Sequence, residues 1–324
     1  MKLATIREDG GTTKAGRVER DEIVLLPYAD IGELLASGHG WRESAGADGP
    51  RIALDGASFG RLVPRPTKIF CLGANYLEHV KEWDPDLKPP QFPEIFTKFP
   101  ESLTGPYDDI PLLPGLGCLD YEAAIAFSAG LPIVAQPPQS DCVDWEAELV
   151  VVVGSEVRRA SETEAAEAIA GFTGGNDVSV RDWQLRTRQW MQGKAWEAMS
   201  PVGPVLVTPD ELGGVRPDLR LRCLIDEVVM QDSSIGSPVF DPVEVVSYIS
   251  TFVTLRPGDL IFMGTVPGCG ISMSPQQYIR PGQVMTTEFE GIGQLINRFV
   301  AADAAPRFAH DIDATASGQL LQET

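Results

Sequence analysis

In the stretch Asp144-Trp-Glu-Ala-Glu-Leu-Val-Val-Val-Val-Gly154, two glutamates spaced two apart lead into four consecutive valines. An unbroken β-branched run favours a buried strand. Alternation along that strand points Glu146 and Glu148 to one face. Two like charges at the start of an apolar strand cost folding energy unless something neutralises them, and a hard divalent cation is the usual remedy. The pair therefore reads as a metal site, although an isolated E-x-E would also suit the wet face of a half-exposed strand.

The pair is not isolated. The segment Gly174-Gly-Asn-Asp177-Val-Ser-Val-Arg181-Asp-Trp follows, where glycines release the backbone and Asp177 can supply a third carboxylate. Three carboxylates, with water or substrate completing an octahedron, suit Mg²⁺ or Mn²⁺ better than zinc. No H-x-x-x-H or C-x-x-C pair occurs in the chain.

Working outward, 324 residues with 43% hydrophobic content suit one large domain or two unequal ones. A formal charge of −20 disfavours nucleic acid as a partner, since a phosphate backbone is repelled without a local basic patch. No such patch exists: the nearest cluster, Arg181 to Lys194, is interleaved with aromatics and amides and reads as the wall of a site. Five cysteines (Cys71, Cys118, Cys142, Cys223, Cys269) are odd in number and widely spaced, which suits a reducing compartment. The N-terminus becomes charged before a signal peptide's apolar core could form, and no apolar run approaches a membrane span. A cytoplasmic protein without membrane partners is expected.

Residues 1–65 read as a small strand-rich domain, with apolar pieces at Leu3 to Ile6, Ile23 to Leu26 and Ile52 to Leu54 and a helix near Asp30 to Ser37. Pro64-Arg-Pro66 places a boundary, and residues 66–301 form the main domain. Helices are expected at Tyr76 to Glu82, at Glu162 to Ile169 behind the N-cap Ser161, and at Val243 to Phe252. Leu255 to Thr265 reads as a turn and a buried strand ending at a Gly-Thr corner. The tail 302–324 has little to bury and should be loosely held. Leu112 to Ala123 aligns with Gln136 to Ala147 at an offset of 24, so 112–138 reads as a repeat or insertion. Ala124 replaces Glu148 in the first copy, which therefore has no metal role.

Several ordered motifs resemble the fumarylacetoacetate hydrolase family across roughly residues 66–300. They are Gly73-Ala-Asn-Tyr-Leu-Glu-His79-Val-Lys-Glu82, Phe96-Thr-Lys98, the E-x-E strand, Asn176-Asp177 with Arg181-Asp-Trp-Gln184, Trp190-Met-Gln-Gly-Lys194, and Gly264-Thr265-Val-Pro-Gly268. The resemblance implies an α+β fold, a mixed β-sandwich roll with a small N-terminal domain, a magnesium or manganese ion, and a homodimer. It makes Glu146, Glu148 and Asp177 the metal ligands, with Arg181 pairing Asp177 to fix its orientation. His79 and Glu82, three apart on one helical face, become a general-base dyad, and Lys194 joins them as a catalytic group. Lys98, Gln184 and Thr265 match positions lining the substrate pocket. Ala74 departs from members that carry arginine there, which removes one contact to a substrate carboxylate.

The activity so implied is metal-dependent hydrolysis of a C–C bond in acylpyruvates or other 2,4-diketo acids. The 2-oxo acid end chelates the ion, His79 with Glu82 activates water, and Lys194 faces the enolate charge as it develops. The alternatives are an isomerase, hydratase, lyase or oxaloacetate decarboxylase on the same fold, or a binding protein without catalysis.

Overall fold

The computed structural model describes residues 1–83, 85–112 and 141–301. The expectations for the repeat at 112–138, beyond Leu112, and for the tail 302–324 lie outside the described residues.

The strand Ala147–Val153 is buried at every position, as its valine run requires. Its neighbours Ile169–Asn176 and Leu260–Thr265 both run antiparallel to it. These three form the middle of an eleven-stranded sheet. On one side follow Ile69–Gly73, parallel to Leu260–Thr265, and then Glu94–Lys98. On the other follow Ser200–Val207 and the N-terminal strands Lys2–Arg7, Thr13–Glu19, Glu22–Leu25 and Arg51–Ala53. The arrangement is mixed, in agreement with the α+β class.

Residues 1–65 therefore continue the main sheet through the pairing of Lys2 and Leu3 with Val207 and Leu206. Leu3, Leu34, Leu35 and Trp41 share one hydrophobic cluster with Ile69, Val150 and Phe262. The strand Thr13–Glu19 and the helix Trp41–Gly46 were not anticipated. Thr-Lys-Ala-Gly-Arg-Val-Glu has weak β-propensity, and hydrogen-bonded neighbours on both sides make it a strand.

A second sheet of five strands stacks Val228–Ser234, Arg220–Ile225, Val284–Phe289, Gly293–Ala301 and Ile110–Leu112. Its Leu221, Met285, Phe289 and Leu295 pack into the cluster that holds Phe172 and Val151. The Phe289 ring occupies the space a Cβ at Gly174 would need, so the two sheets meet closely at a glycine. Burial of each such side chain stabilises by about 1.5–3 kcal/mol.

The helix starts follow the sequence. Asp30 accepts from Glu33 N–H (2.9 Å) ahead of Ile31–Ala36. Ser161 and Glu164 form a capping box on Glu162–Ala168, and Asp241 and Glu244 form one on Pro242–Phe252. Ala165 and Ala168 of the first boxed helix pack with Val245, Val246 and Ile249 of the second. No helix among the described residues is long and apolar enough to cross a membrane.

Candidate active site

Strand register brings the carboxylates together. Glu148 lies opposite Gly175 on one neighbour and Thr265 on the other, and Ala147 lies opposite Asn176. Just beyond that ladder Asp177 N–H donates to the Glu146 carbonyl (2.8 Å), and Glu146 N–H donates to Asn176 Oδ1 (2.9 Å). Glu146, Glu148 and Asp177 consequently converge, all buried, with one carboxylate oxygen of each within 4.8 Å of the others.

With Asp144 they make four buried carboxylates, which face three buried cations, Lys98, Arg181 and Lys194. Lys194 Nζ donates to Glu146 Oε2 (2.5 Å) and Asp177 Oδ2 (3.0 Å). Burial would strip the Lys194 proton, but the charges of Asp177 and Glu146 raise its pKa above the ordinary value. Burial would likewise raise Glu146, yet Lys194 and Arg181 hold it down at about 2. Glu148 differs. Burial first, and then the charges of Asp177 and Glu146, push its carboxyl well above the ordinary range.

The donor set fits a hard divalent cation. Among the described residues Glu148 Oε2 accepts only from Gly264 N–H (2.8 Å), and its buried Oε1 has no hydrogen-bond partner. Glu148 has no ion-pair partner among the described residues. Asp177 Oδ1 touches Lys98 Nζ as an ion pair, but away from hydrogen-bonding geometry, so its lone pairs are also underused. Underused carboxylate oxygens, with no histidine or cysteine among them, match magnesium or manganese chemistry.

The arginine expectation needs correction. Arg181 does not pair with Asp177; its Nη1 binds Glu146 Oε1 (2.6 Å) and Gln184 Oε1 (2.9 Å), and its Nε binds Asp144 Oδ2 (2.8 Å). The cause is the two-residue strand Ser179–Val180, which pairs with Val143–Asp144 and delivers the next residue to Asp144. Asp177 is left to the two lysines. Lys98 is buried behind the triad, where it also bonds Ser200 Oγ (2.9 Å) and the Lys194 carbonyl. It stands among the counter-ions of Asp177, and the cavity wall does not include it.

A cavity of about 430 Å³ opens on the site. His79, Glu146, Arg181, Gln184, Lys194 and Thr265 line its polar side, and Leu72, Val80, Phe96, Leu185 and Trp190 its apolar side. His79 and Glu82 stand on the helix Leu77–Trp83, with Nδ1 2.8 Å from Glu82 Oε2. Glu82 Oε1 accepts from Gly268 N–H (2.9 Å). Thr265 Oγ1 donates to the Ala147 carbonyl (3.0 Å) and accepts from Gln231 Nε2 (2.9 Å), so it ties the corner to the strand Ala147–Val153. Ala74 holds a left-handed backbone at φ 52° on the cavity wall. Strain of this kind costs about 1–3 kcal/mol and collects at functional sites.

The sequence alone assigns no site role to Asp144, Asn176, Gln231 or Ser200. Asp144 stands in that first stretch itself, but its partner Arg181 is set by the pairing of Ser179–Val180 with Val143–Asp144.

A mixed roll enclosing a carboxylate triad beside a histidine-glutamate dyad defines an enzyme class, and the chain belongs to the fumarylacetoacetate hydrolase family. The family domain described as fumarylacetoacetate (FAA) hydrolase C-terminal matches residues 68–300. Among individual relatives, the chain is 35% identical over 261 residues to the Homo sapiens protein named oxaloacetate tautomerase FAHD2A, mitochondrial, covering 80% of this chain and 74% of that one. The solved fumarylacetoacetate hydrolase from Exiguobacterium antarcticum superimposes with a TM-score of 0.76 at 27% identity, covering 93% of this chain and 100% of the other. The 5-carboxymethyl-2-hydroxymuconate delta-isomerase from Mycobacterium smegmatis does so at 0.69 and 26%, covering 94% and 100%. Hydrolase and isomerase names thus occur on one architecture.

Proposed function

We propose that the protein is a divalent-cation-dependent enzyme that moves a proton at the carbon beside the carbonyl of a 2-oxo acid, a keto-enol tautomerase of the oxaloacetate type. The observation that carries this reading is the convergence of Glu146, Glu148 and Asp177 behind a cavity whose wall Glu146 shares with His79. The name of the Homo sapiens relative supports it. Magnesium or manganese, held by the three carboxylates, would supply positive charge to the carboxylate and keto oxygens of the substrate.

The remaining work falls to the protein. His79, oriented by Glu82, takes the enol proton and returns one to the adjacent carbon, so no atom is gained or lost overall. Lys194 keeps its charge and offers a fixed positive group where negative charge develops on oxygen. Arg181 and Gln184, bonded to each other, shape the polar wall. Phe96 and Trp190, in edge contact at 5.7 Å between centroids, keep water from the opposite side.

Hydrolysis of an acylpyruvate is the second reading. The His79–Glu82 pair favours it, because water activation needs a base, and the apolar wall offers room for a neutral acyl tail. Following enol absorbance of oxaloacetate and of acetylpyruvate, with Mg²⁺, Mn²⁺ or chelator, separates the two. Metal-dependent ketonisation without pyruvate supports the tautomerase. Pyruvate from acetylpyruvate supports the hydrolase, pyruvate from oxaloacetate supports a decarboxylase, and inactivity on both substrates sinks the proposal. Homodimerisation, a cytoplasmic location and the absence of nucleic-acid or membrane partners belong to the same proposal, and light scattering tests the dimer.

A further inference from the structure

Asp144 is fully buried, and both of its oxygens are occupied. Oδ1 accepts from Trp145 N–H (2.8 Å) and Gly270 N–H (2.8 Å). Oδ2 accepts from Ile271 N–H (3.0 Å) and Arg181 Nε (2.8 Å). Arg181 Nη2 stands 2.7 Å from that same Oδ2, as an ion pair off the hydrogen-bonding direction. A carboxylate taken out of water at this depth is costly unless every lone pair is used, and here the backbone supplies three of its four hydrogen bonds.

The backbone donors make Asp144 rigid. Gly270 can approach it because it lacks a side chain: a Cβ there would collide with the Gln277 carbonyl and lie 2.9 Å from Asp144 Oδ1. Trp145, the next residue, donates from Nε1 to the Gly268 carbonyl (2.9 Å), which clamps the same loop a second time. A fixed acceptor on one side of the guanidinium fixes the other side. Arg181 Nη1 then reaches Glu146 Oε1 at 2.6 Å and leaves Oε2 to Lys194.

We propose that Asp144 is a positioning residue, which sets the direction of the Glu146 carboxylate through Arg181 and thereby the geometry of the cation site. The inference rests on reading Glu146, Glu148 and Asp177 as that site. Outer partners of this kind typically change metal affinity by about 10–100-fold when removed. Asp144→Asn is the informative change, because an amide NH₂ in place of either oxygen confronts two N–H donors. If it replaces Oδ2 it repels Arg181; if it replaces Oδ1 it repels the loop that holds Asp144 in place.

The test uses the full chain and Mn²⁺ alone as probe. Binding is measured by titration calorimetry and by the electron paramagnetic resonance spectrum of the bound ion, and melting is recorded in chelator. D144N is expected to weaken Mn²⁺ binding by about 10–100-fold and to alter the spectrum. R181Q should do the same, and D144N/R181Q should lose little more than the worse single variant, because the two residues act in series. Wild-type affinity in a folded D144N overturns the inference, as does a lowered melting temperature without a change in affinity, or full additivity in the double variant. Should D144N fail to fold, R181Q decides, and unchanged affinity there overturns it. Absence of Mn²⁺ binding in the wild-type protein overturns the cation site itself and this inference with it.

Discussion

Among the described residues Glu148 receives its one hydrogen bond from the Gly264 backbone N–H, 2.8 Å from Oε2, and its other oxygen is buried without a partner. Glycine at 264 serves this contact through a left-handed φ of 84°, which turns the chain at the end of Leu260–Thr265. Lysines and an arginine form ion pairs with Glu146 and Asp177, and among the described residues none forms one with Glu148. Glu148 is therefore the member of the triad most dependent on an added cation.

Replacing Glu148 with Gln removes one ligand charge and preserves shape. Mn²⁺ affinity should fall by about 10-fold or more, judged from the size of outer-partner effects. In chelator the variant should melt within about 4 °C of wild type, since burial and neighbouring charges already favour the neutral carboxyl. Calorimetry and thermal melts check both halves. Wild-type affinity would remove Glu148 from the ligand set.

Cation binding should stabilise the fold by mass action. Mg²⁺ or Mn²⁺ at one hundred times its dissociation constant adds about 2.7 kcal/mol, provided the unfolded chain does not bind. The melting temperature should rise with cation concentration and return on chelation. A flat response in differential scanning calorimetry would contradict the triad's proposed role.

His79→Gln should lower kcat by about 10²–10⁴-fold while leaving Mn²⁺ affinity near wild type, because its place is the cavity wall beside the triad. Glu82→Gln should lower kcat less, since the imidazole remains but loses its orienting partner. Steady-state kinetics paired with Mn²⁺ titration separates this outcome from a general loss of the site. Full turnover in His79→Gln would reassign the base.

Acid stability should depend on the Arg7–Asp108 pair, which ties the first strand to the turn before Ile110–Leu112. The contact is bidentate, Nη1 to Oδ1 at 2.7 Å and Nη2 to Oδ2 at 2.6 Å. Burial works to raise the Asp108 pKa, but Arg7 and the Gly105 N–H outweigh it and hold the folded value below the ordinary one. The folded state thus prefers the charged form. Its stabilisation is fully present above the unfolded pKa and is lost as pH falls through the lower folded value. Asp108→Asn should be destabilising at neutral pH and should flatten the acid limb of stability against pH, as read by denaturant melts. An unchanged acid limb would show that the pair contributes nothing; partial exposure of Arg7 limits its size.

What could be read without coordinates was whatever depends on neighbours in the chain. The valines at 150–153 dictate a buried strand, and period-two alternation puts Glu146 and Glu148 on one face. Ser161 marks a helix start, and His79 with Glu82 share a helical face for the same local reason. Conversely, nothing local sends Arg181 to Asp144 and Glu146 when Asp177 is only four residues away. That choice follows from the short ladder between Ser179–Val180 and Val143–Asp144. Lys98 becomes a buried counter-ion because Glu94–Lys98 is an edge strand running antiparallel to Ile69–Gly73. Residues 1–65 join the main sheet because Lys2 and Leu3 find Val207 and Leu206.

The central strand, the cap at Ser161 and the carboxylates available for a cation were thus legible in the sequence, since backbone sterics and side-chain spacing act over a few residues. Which cation pairs with which carboxylate, and that Glu148 has no ion-pair partner among the described residues, follow from the fold. Ion pairing at a buried site is governed by distances across the sheet, and strand register sets those distances.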